Sequence, residues 1–357
     1  MNWQDRRVLD LFGIELPIIQ APMAGNTTPE MVMAVSEAGG LGSLACAQYT
    51  LQQAREAVAT VRAGTGRAFN LNFFCHTPPE PNPARALAWR AALAPFYVEL
   101  GLDPAETPPA GGRTPFDETF CALVEEIRPA VVSFHFGLPP RALLDRVKAS
   151  GAKVIASATT VAEARWLEEH GCDAVIAMGL EAGGHRGNFL ADEMARQVGT
   201  FSLVPQVVDA VRVPVIAAGG IADGRGIRAA LALGAAAAQI GTAYLFTPEA
   251  KLPPPHREAL RHATDDGTML TNLFTGRPAR GIVNRLMREL GPISPLAPPF
   301  PTAGGALLPL RARTEPAGSG DFVNLWAGQS AALGREMPAG ELTRRLATEA
   351  SGASGQA

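Results

Sequence analysis

A glycine-rich stretch with one histidine is the part of the chain best suited to chemistry. Residues 179–187 read GLEAGGHRG, in which four glycines surround His185 and Arg186. Near neutral pH an imidazole can act as a base or as a cation, and glycines leave room for a flat cofactor against the backbone. We therefore predict an active-site role for His185 rather than that of a surface or core histidine. For Arg186, an ion pair with Glu181 or Glu193 and a contact with substrate remain equal alternatives.

Two later glycine elements predict a phosphate site. The run PVIAAGG ends in Gly219 and Gly220, shortly before a helix that opens near Gly224, and the run AAQIGTAYL contains Gly241 and Thr242. Glycines let backbone N–H groups approach a phosphate, and a helix N-terminus adds a favourable dipole. The alternative is that these glycines only form tight turns. Phosphate binding is favoured because both elements fall at the ends of adjacent apolar runs.

Further candidates adjoin other apolar runs. His135, in SFHFG, is predicted to share the active site, the alternative being a hydrogen-bonded core histidine. Met23, in QAPMAG, is predicted to pack against a cofactor, although ordinary core packing is nearly as favoured. Cys75 and His76 lie side by side, but no third ligand accompanies them. We therefore predict no metal site.

These residues must be positioned by eight apolar runs that alternate with helix-patterned segments. The runs are apolar at consecutive positions, as parallel strands covered on both faces are. The alternation predicts a (β/α)8 TIM barrel with its active site at the carboxyl ends of the strands. A doubly wound sheet ranks second because it usually has fewer strands. The predicted strands are residues 18–25, 41–47, 68–74, 130–137, 153–159, 174–184, 214–220 and 237–245.

Two segments interrupt this alternation. Residues 76–115 are proline-rich around a helical piece and are predicted to form an insertion after the third strand. Residues 250–330 are predicted to form a loop and helical lid, or a small substrate-side domain, after the last strand. The barrel itself would then comprise residues 1–249 and 331–350. The tail, residues 351–357 (SGASGQA), is predicted to be disordered.

Composition narrows the class of protein further. The chain has 357 residues, of which 47% are hydrophobic and 18% charged, so it can bury a large core. A formal net charge of −3 without a basic run argues against nucleic acid or an anionic membrane as the main partner. The four cysteines are scattered, which favours reduced thiols over disulfides. Without an apolar leader or a stretch long enough to span a membrane, the sequence predicts a cytoplasmic protein.

At this point the motifs together resemble a known family, the nitronate monooxygenases, formerly called 2-nitropropane dioxygenases. The resemblance runs from about residue 11 to residue 346. It is carried by QAPMAG, GLEAGGHRG, GGIADG and QIGTAYL, and later by FTGRPARGIVNRL and LWAGQSAALGREMPAGEL. It implies an FMN-containing barrel that oxidises alkyl nitronates with O2, without a metal, to carbonyl compounds and nitrite. His185 matches the catalytic histidine of the family, and His135 matches a second histidine of the substrate pocket.

The resemblance also assigns cofactor contacts and reveals two departures. The family usually has a glutamine at the position of Met178. Its bacterial branch has tyrosines and a lysine after the barrel, where residues 298–312 of this chain offer Phe300 and no lysine. These departures concern the substrate more than the flavin. The residues assigned to FMN are Met23, Asn72, Met178, Gly183, Gly184, Gly219, Gly220, Gln239, Ile240, Gly241 and Thr242.

Three functional hypotheses follow. The first is FMN-dependent oxidation of nitronates, and of neutral nitroalkanes if His185 removes their α-proton. The alternative on the same barrel is an NAD(P)H-dependent flavin reductase that acts on quinones or enoyl thioesters, because such reductases share the AGGH element. The third is a colourless phosphate-binding barrel. We expect a small-molecule nitronate and O2 as reaction partners. A second copy of the chain, in a homodimer, is the protein partner that we consider.

Overall fold

The computed structural model describes residues 3–106 and 113–352, and eight of its strands form a parallel barrel. Around the barrel the order is β1-β9-β8-β6-β5-β4-β3-β2. The ring closes where the Gln20 N–H donates to the Leu41 carbonyl oxygen at 3.0 Å. The predicted (β/α)8 barrel is thus confirmed. The strands described are β1 (Ile18–Gln20), β2 (Gly42–Ala45), β3 (Phe69–Phe74), β4 (Val131–His135), β5 (Lys153–Ala158), β6 (Ala174–Met178), β7 (Gly184–His185), β8 (Val215–Ala218), β9 (Ala237–Ile240), β10 (Thr268–Thr271) and β11 (Ala279–Ile282).

The eight predicted barrel strands were right in number, but seven of them extended too far at their carboxyl ends, the exception being β3. The largest difference is at β6, which ends at Met178 instead of residue 184. At β8 the reason is visible in the backbone, since Gly219 and Gly220 have φ angles of 110° and 70°, which end an extended strand. Apolar side chains continue past the last ladder hydrogen bond because the loops above the barrel are themselves buried.

Helices surround the barrel and begin at residues that cap them. The Thr28, Thr50 and Thr160 side chains each accept a hydrogen bond from a backbone N–H of the first helical turn. Within the described residues, no helix is long and apolar enough to cross a membrane. The helices are α1 (Arg7–Phe12), α2 (Pro29–Glu37), α3 (Leu51–Gly64), α4 (Pro83–Glu99), α5 (Glu118–Ile127), α6 (Arg141–Ala149), α7 (Val161–Glu169), α8 (Thr200–Ala210), α9 (Gly224–Ala232), α10 (Pro254–Arg261), α11 (Arg285–Leu290), α12 (Leu308–Thr314) and α13 (Ala339–Ala350).

A second hydrophobic core joins the two segments that interrupt the alternation. Helix α4, in the insertion after β3, packs against the chain that follows the barrel. Its Trp89 indole donates to the Ala303 carbonyl oxygen at 3.0 Å, and its Tyr97 hydroxyl donates to that of Ala306 at 2.6 Å. The two insertions therefore support each other at one end of the barrel.

A small antiparallel sheet lies next to this second core. Its order is β10-β11-β7, so a hairpin of the post-barrel segment pairs with the short strand that contains His185. At the end of the chain, α13 packs back on α2 and α9. Of the tail predicted to be disordered, Ser351 and Gly352 form a turn, and residues 353–357 lie outside the described part of the chain.

Candidate active site

One cavity lies at the carboxyl ends of the barrel strands, as the fold predicts. It contains about 1290 Å³ of empty space, including the part that opens to solvent. The predicted residues that line it are Met23, Asn72, His135, Met178, Gly183, Gly184, His185, Gly219, Gly220, Gln239, Gly241 and Thr242. Ile240 does not line the cavity. Successive strand residues point to opposite faces, so Gln239 faces the cavity while the fully buried Ile240 packs in the hydrophobic core.

His185 reaches this cavity from the small sheet rather than from the end of β6. Its register partner is Ala279 of β11, and its Nε2 lies 2.9 Å from the Thr275 hydroxyl oxygen. The chain before it passes very close to another loop: a Cβ on Gly183 would lie 2.5 Å from the Gly328 nitrogen. Glycine is therefore required for the approach that delivers His185 to the cavity.

The surroundings of His185 are largely aromatic. Its ring centroid lies 5.2 Å from that of Phe300, 5.6 Å from Trp326 and 6.2 Å from Phe74. Burial lowers the pKa of His185 well below its usual value, and the positive charge of Arg113 lowers it further. The site therefore favours a neutral imidazole at pH 7. In that state His185 can act as a base but not as a cation.

His135 lies beside His185 with both ring nitrogens engaged. Its Nε2 faces the His185 carbonyl oxygen at 3.2 Å, which can only accept, so this nitrogen carries the proton. Burial lowers the pKa of His135 to about 3, so the ring is neutral and Nδ1 accepts from the Ser157 hydroxyl at 2.5 Å. The structure thus brings the two histidines together, with His135 holding the backbone of His185.

Arg186 takes neither of the roles considered for it. It is wholly buried and donates to the carbonyl oxygens of Met178 and Gly179, at 2.9 and 2.6 Å. Glu181 instead accepts from the Thr200 hydroxyl and N–H, while Glu193 lies 3.7 Å from Arg196. Arg186 therefore fixes the end of β6 where the chain leaves the barrel.

A second arginine, which the sequence reasoning missed, lines the cavity itself. Arg113 comes from the insertion after β3, and its guanidinium lies 5.5 Å from the centre of the Phe300 ring. With its amide oxygen turned toward Arg113, Gln48 accepts from Nη2 at 2.8 Å. The backbone is anchored as well, because His76 Nε2 donates to the Arg113 carbonyl oxygen at 3.1 Å. Burial lowers the pKa of Arg113 to about 10, so it stays charged at pH 7.

The opposite wall of the cavity carries backbone donors. Gly220, Ile221 and Ala222 line it just after β8, and their N–H groups find no acceptor among the residues that the structure describes. The Gln239 Oε1 atom, also at the wall, is buried and has no partner there. Unpaired polar groups of this kind are costly in a folded protein unless a ligand or water satisfies them.

The start of α9 does not contribute its own donors, contrary to the sequence-based expectation. Asp223 accepts from the Arg225 N–H at 2.9 Å, and Glu349 accepts from the Gly224 N–H at 3.1 Å. Two carboxylates thus occupy the helix N-terminus. An anion at this wall would use the loop before the helix.

Metal-ligating groups do not gather at the site. In residues 3–106 and 113–352, no group of three His, Cys, Asp or Glu side chains is placed to hold a metal ion. Cys75 is half-buried, and desolvation raises the pKa of its thiol well above the usual value. The neighbouring His76 contacts Phe300. Sequence reasoning also missed Thr275 and Trp326. Both lie in stretches that served only for the family resemblance, FTGRPARGIVNRL and LWAGQSAALGREMPAGEL.

Comparisons with known proteins agree with this geometry. The family model "Nitronate monooxygenase" matches residues 5–349. A nitronate monooxygenase of Pseudomonas aeruginosa is 44% identical over 97% of this chain and 99% of its own length. Among solved structures, a nitroalkane oxidase from Streptomyces ansochromogenes has a TM-score of 0.88 at 41% identity, covering 97% of this chain and 98% of its own.

A more distant solved structure shares the whole fold. FabK from Thermotoga maritima has a TM-score of 0.73 at 30% identity, covering 99% of this chain and 97% of its own. Its lower TM-score and identity place it further from this chain than the Streptomyces enzyme. The family model spans nearly the whole chain and confirms the resemblance drawn from the motifs. The chain belongs to the nitronate monooxygenase family.

Proposed function

We propose that this protein oxidises alkyl nitronates with O2 to carbonyl compounds and nitrite, with FMN as its cofactor. The observation that carries the proposal is the pairing, in one cavity, of a neutral, half-buried His185 with a wall of unpaired backbone donors. Family membership supports the reaction class. The names of the Pseudomonas and Streptomyces relatives support nitronates and nitroalkanes as the substrate class.

The residues of the cavity fit FMN. The unpaired N–H groups at Gly220 to Ala222 suit a phosphate, together with Gly241 and Thr242. Gln239 Oε1, buried and without a partner, suits a hydrogen-bond donor at the edge of a ring. A Cβ on Gly184 would meet no atom within 4 Å, so a flat group can lie against that backbone. Asn72, Met23 and Met178 would line the same face.

His185 would act on the substrate as a neutral group. Thr275 holds Nε2, and Nδ1 has no partner among the described residues, so Nδ1 is available to the substrate. FMN, when bound, supplies the redox chemistry. For a nitronate, which has already lost its α-proton, His185 would orient the reacting carbon. For a neutral nitroalkane, Nδ1 would accept the α-proton, and burial of the imidazole weakens it as a base.

The other residues would position His185 and keep water away. His135 fixes the backbone of His185, so we propose that it acts through His185 and not on the substrate. Phe74, Phe300 and Trp326 would exclude water from the reacting atoms. Residues 250–330, which supply Phe300 and Trp326, would form a substrate-side cover on a barrel made of residues 1–249 and 331–350. We also propose that the protein is cytoplasmic and that two copies of the chain form a homodimer.

The test is an oxygen-electrode assay of the purified protein with propyl-1-nitronate, read beside nitrite formation and NADH oxidation. We expect a bound flavin spectrum, nitronate-dependent O2 uptake and nitrite. His185→Asn should keep the flavin and lose most of the turnover. Rapid anaerobic bleaching of the flavin by NADH without any reaction with nitronate would instead support the flavin reductase. A colourless protein would exclude both.

A further inference from the structure

A half-buried guanidinium at the wall of the cavity has no opposite charge beside it. Arg113 has Gln48 as its hydrogen-bond partner, and within the described parts of the chain no carboxylate pairs with it. Its side chain stays charged at pH 7 in spite of burial. Removing a charge from water without an opposite charge or a full set of hydrogen bonds is energetically unfavourable. An anion in the cavity would offset that cost.

The other arginines nearby already have partners within the protein. Arg186 donates to the carbonyl oxygens of Met178 and Gly179. Arg280 donates to that of Leu180 at 3.0 Å. Arg277 lies over the Phe136 ring at 4.2 Å and donates to the Asn188 carbonyl oxygen. These three are outside the lining of the cavity. Arg113 is thus the arginine that faces the ligand.

Arg113 is also close to the reacting region. The Arg113 guanidinium and the His185 ring both lie near the Phe300 ring, at 5.5 and 5.2 Å from its centre. Phe300 provides no hydroxyl, and the segment around it provides no lysine. The positive charge at this wall therefore comes from Arg113, in the insertion after β3.

We propose that Arg113 binds the two oxygens of the nitronate group and makes the site select the anionic nitronate over the neutral nitroalkane of the same carbon skeleton. A nitronate is planar and has two oxygens on one nitrogen, which share the negative charge. A guanidinium presents a planar fork of N–H donors that matches such a pair. The identity of the anion rests on the proposed function, whereas the anion site itself does not.

The test compares three variants with the wild-type holoenzyme. Arg113→Gln removes the charge, Arg113→Lys keeps it without the fork, and Arg67→Gln makes the same charge change at an exposed ion pair with Glu15 before β3, at the other end of the barrel. With propyl-1-nitronate, we expect Arg113→Gln to raise KM by on the order of 10- to 100-fold, as loss of a charge-assisted hydrogen bond does, with kcat within about threefold. The KM of Arg113→Lys should lie between those of the wild type and Arg113→Gln, and the KM of Arg67→Gln should match that of the wild type.

A binding measurement separates recognition of charge from packing. Calorimetric titration with nitrate, a planar oxyanion, should show the same loss of affinity in Arg113→Gln, whereas titration with neutral 1-nitropropane should not. An unchanged KM, or equal weakening of nitrate and 1-nitropropane, would overturn the inference. If the wild type fails to oxidise any nitronate, the proposed function falls, and the nitrate titration still decides whether Arg113 binds anions.

Discussion

Two adjacent glycines, Gly183 and Gly184, should respond to the same substitution for different physical reasons. Gly183→Ala would place a Cβ 2.5 Å from the Gly328 nitrogen and 2.6 Å from the Ala327 carbonyl carbon. Both obstructing atoms are backbone, so no side-chain rotation can relieve the contact. Gly184→Ala would place its Cβ in open space, at a residue whose φ is 71°. Alanine therefore tests the packing of the chain at one position and the occupancy of the cavity at the next.

The expected magnitudes follow from these contacts. At Gly184 the cost to the flavin-free protein is that of a left-handed alanine, about 1–2 kcal/mol. That corresponds to a loss of a few degrees in Tm, at about 2–4 °C per kcal/mol for a large domain. At Gly183 the cost should reach about 3 kcal/mol or more, the upper end for overpacking, because the 327–328 backbone must move.

Flavin affinity distinguishes the two variants most sharply. In Gly184→Ala the added methyl group occupies space proposed for the isoalloxazine ring, so the Kd for FMN should rise by on the order of tenfold or more while the apoprotein remains folded. Thermal unfolding of the apoproteins and a fluorescence titration with FMN provide both numbers. Wild-type FMN affinity in Gly184→Ala would refute a ring lying against this backbone. A wild-type Tm in Gly183→Ala would refute the close crossing at Gly328.

Two further predictions concern hydrogen bonds near the site. Thr275→Val removes the hydroxyl that holds His185 Nε2, so kcat/KM with a nitronate should fall by on the order of tenfold at unchanged flavin content; an unaltered kcat/KM would show that Thr275 does not orient the imidazole. His256 donates to the Trp326 carbonyl oxygen at 3.0 Å, and burial lowers its pKa to about 4. Between pH 4 and its unfolded pKa of about 6.5, only the unfolded chain binds this proton, so the free energy of unfolding falls as pH falls, by about 2 kcal/mol from pH 7 to pH 5. Urea unfolding at pH 7 and pH 5 should show that His256→Gln lacks this decrease of about 2 kcal/mol in the free energy of unfolding. The same pH dependence in the wild type and in His256→Gln would contradict a buried, neutral His256.

Those parts of the molecule that depend on local patterns could be predicted from the sequence. A run of consecutive apolar residues followed by glycine indicates a strand from neighbouring residues alone, so all eight barrel strands could be predicted. Their ends were placed too late because buried loops above a barrel are as apolar as its strands. The run 239–242 was treated as one motif, although the alternation of side chains along β9 turns Ile240 away from the cavity.

Features created by pairing between distant segments could not be predicted. Strand β7 has two residues, too few for any periodicity, and it exists because β11 pairs with it from nearly a hundred residues further along the chain. Arg113 lies in a proline-rich insertion with no motif around it, and only the folded chain brings it opposite Phe300. Thr275 likewise becomes a partner of His185 only after the hairpin has docked. His185 itself was therefore visible in the sequence, whereas the side chains that the fold brings around it were not.

The pairing of β7 with β11 divides the site between two independently variable parts of the chain. The barrel strands β8 and β9 supply the wall of backbone donors, whereas the hairpin of β10 and β11 with its flanking loops supplies Thr275 and supports His185. Exchange of residues 268–282 between relatives would thus change the position of His185 while the wall of backbone donors stayed intact. Engineering of this enzyme for other substrates should begin with the hairpin and leave the barrel alone.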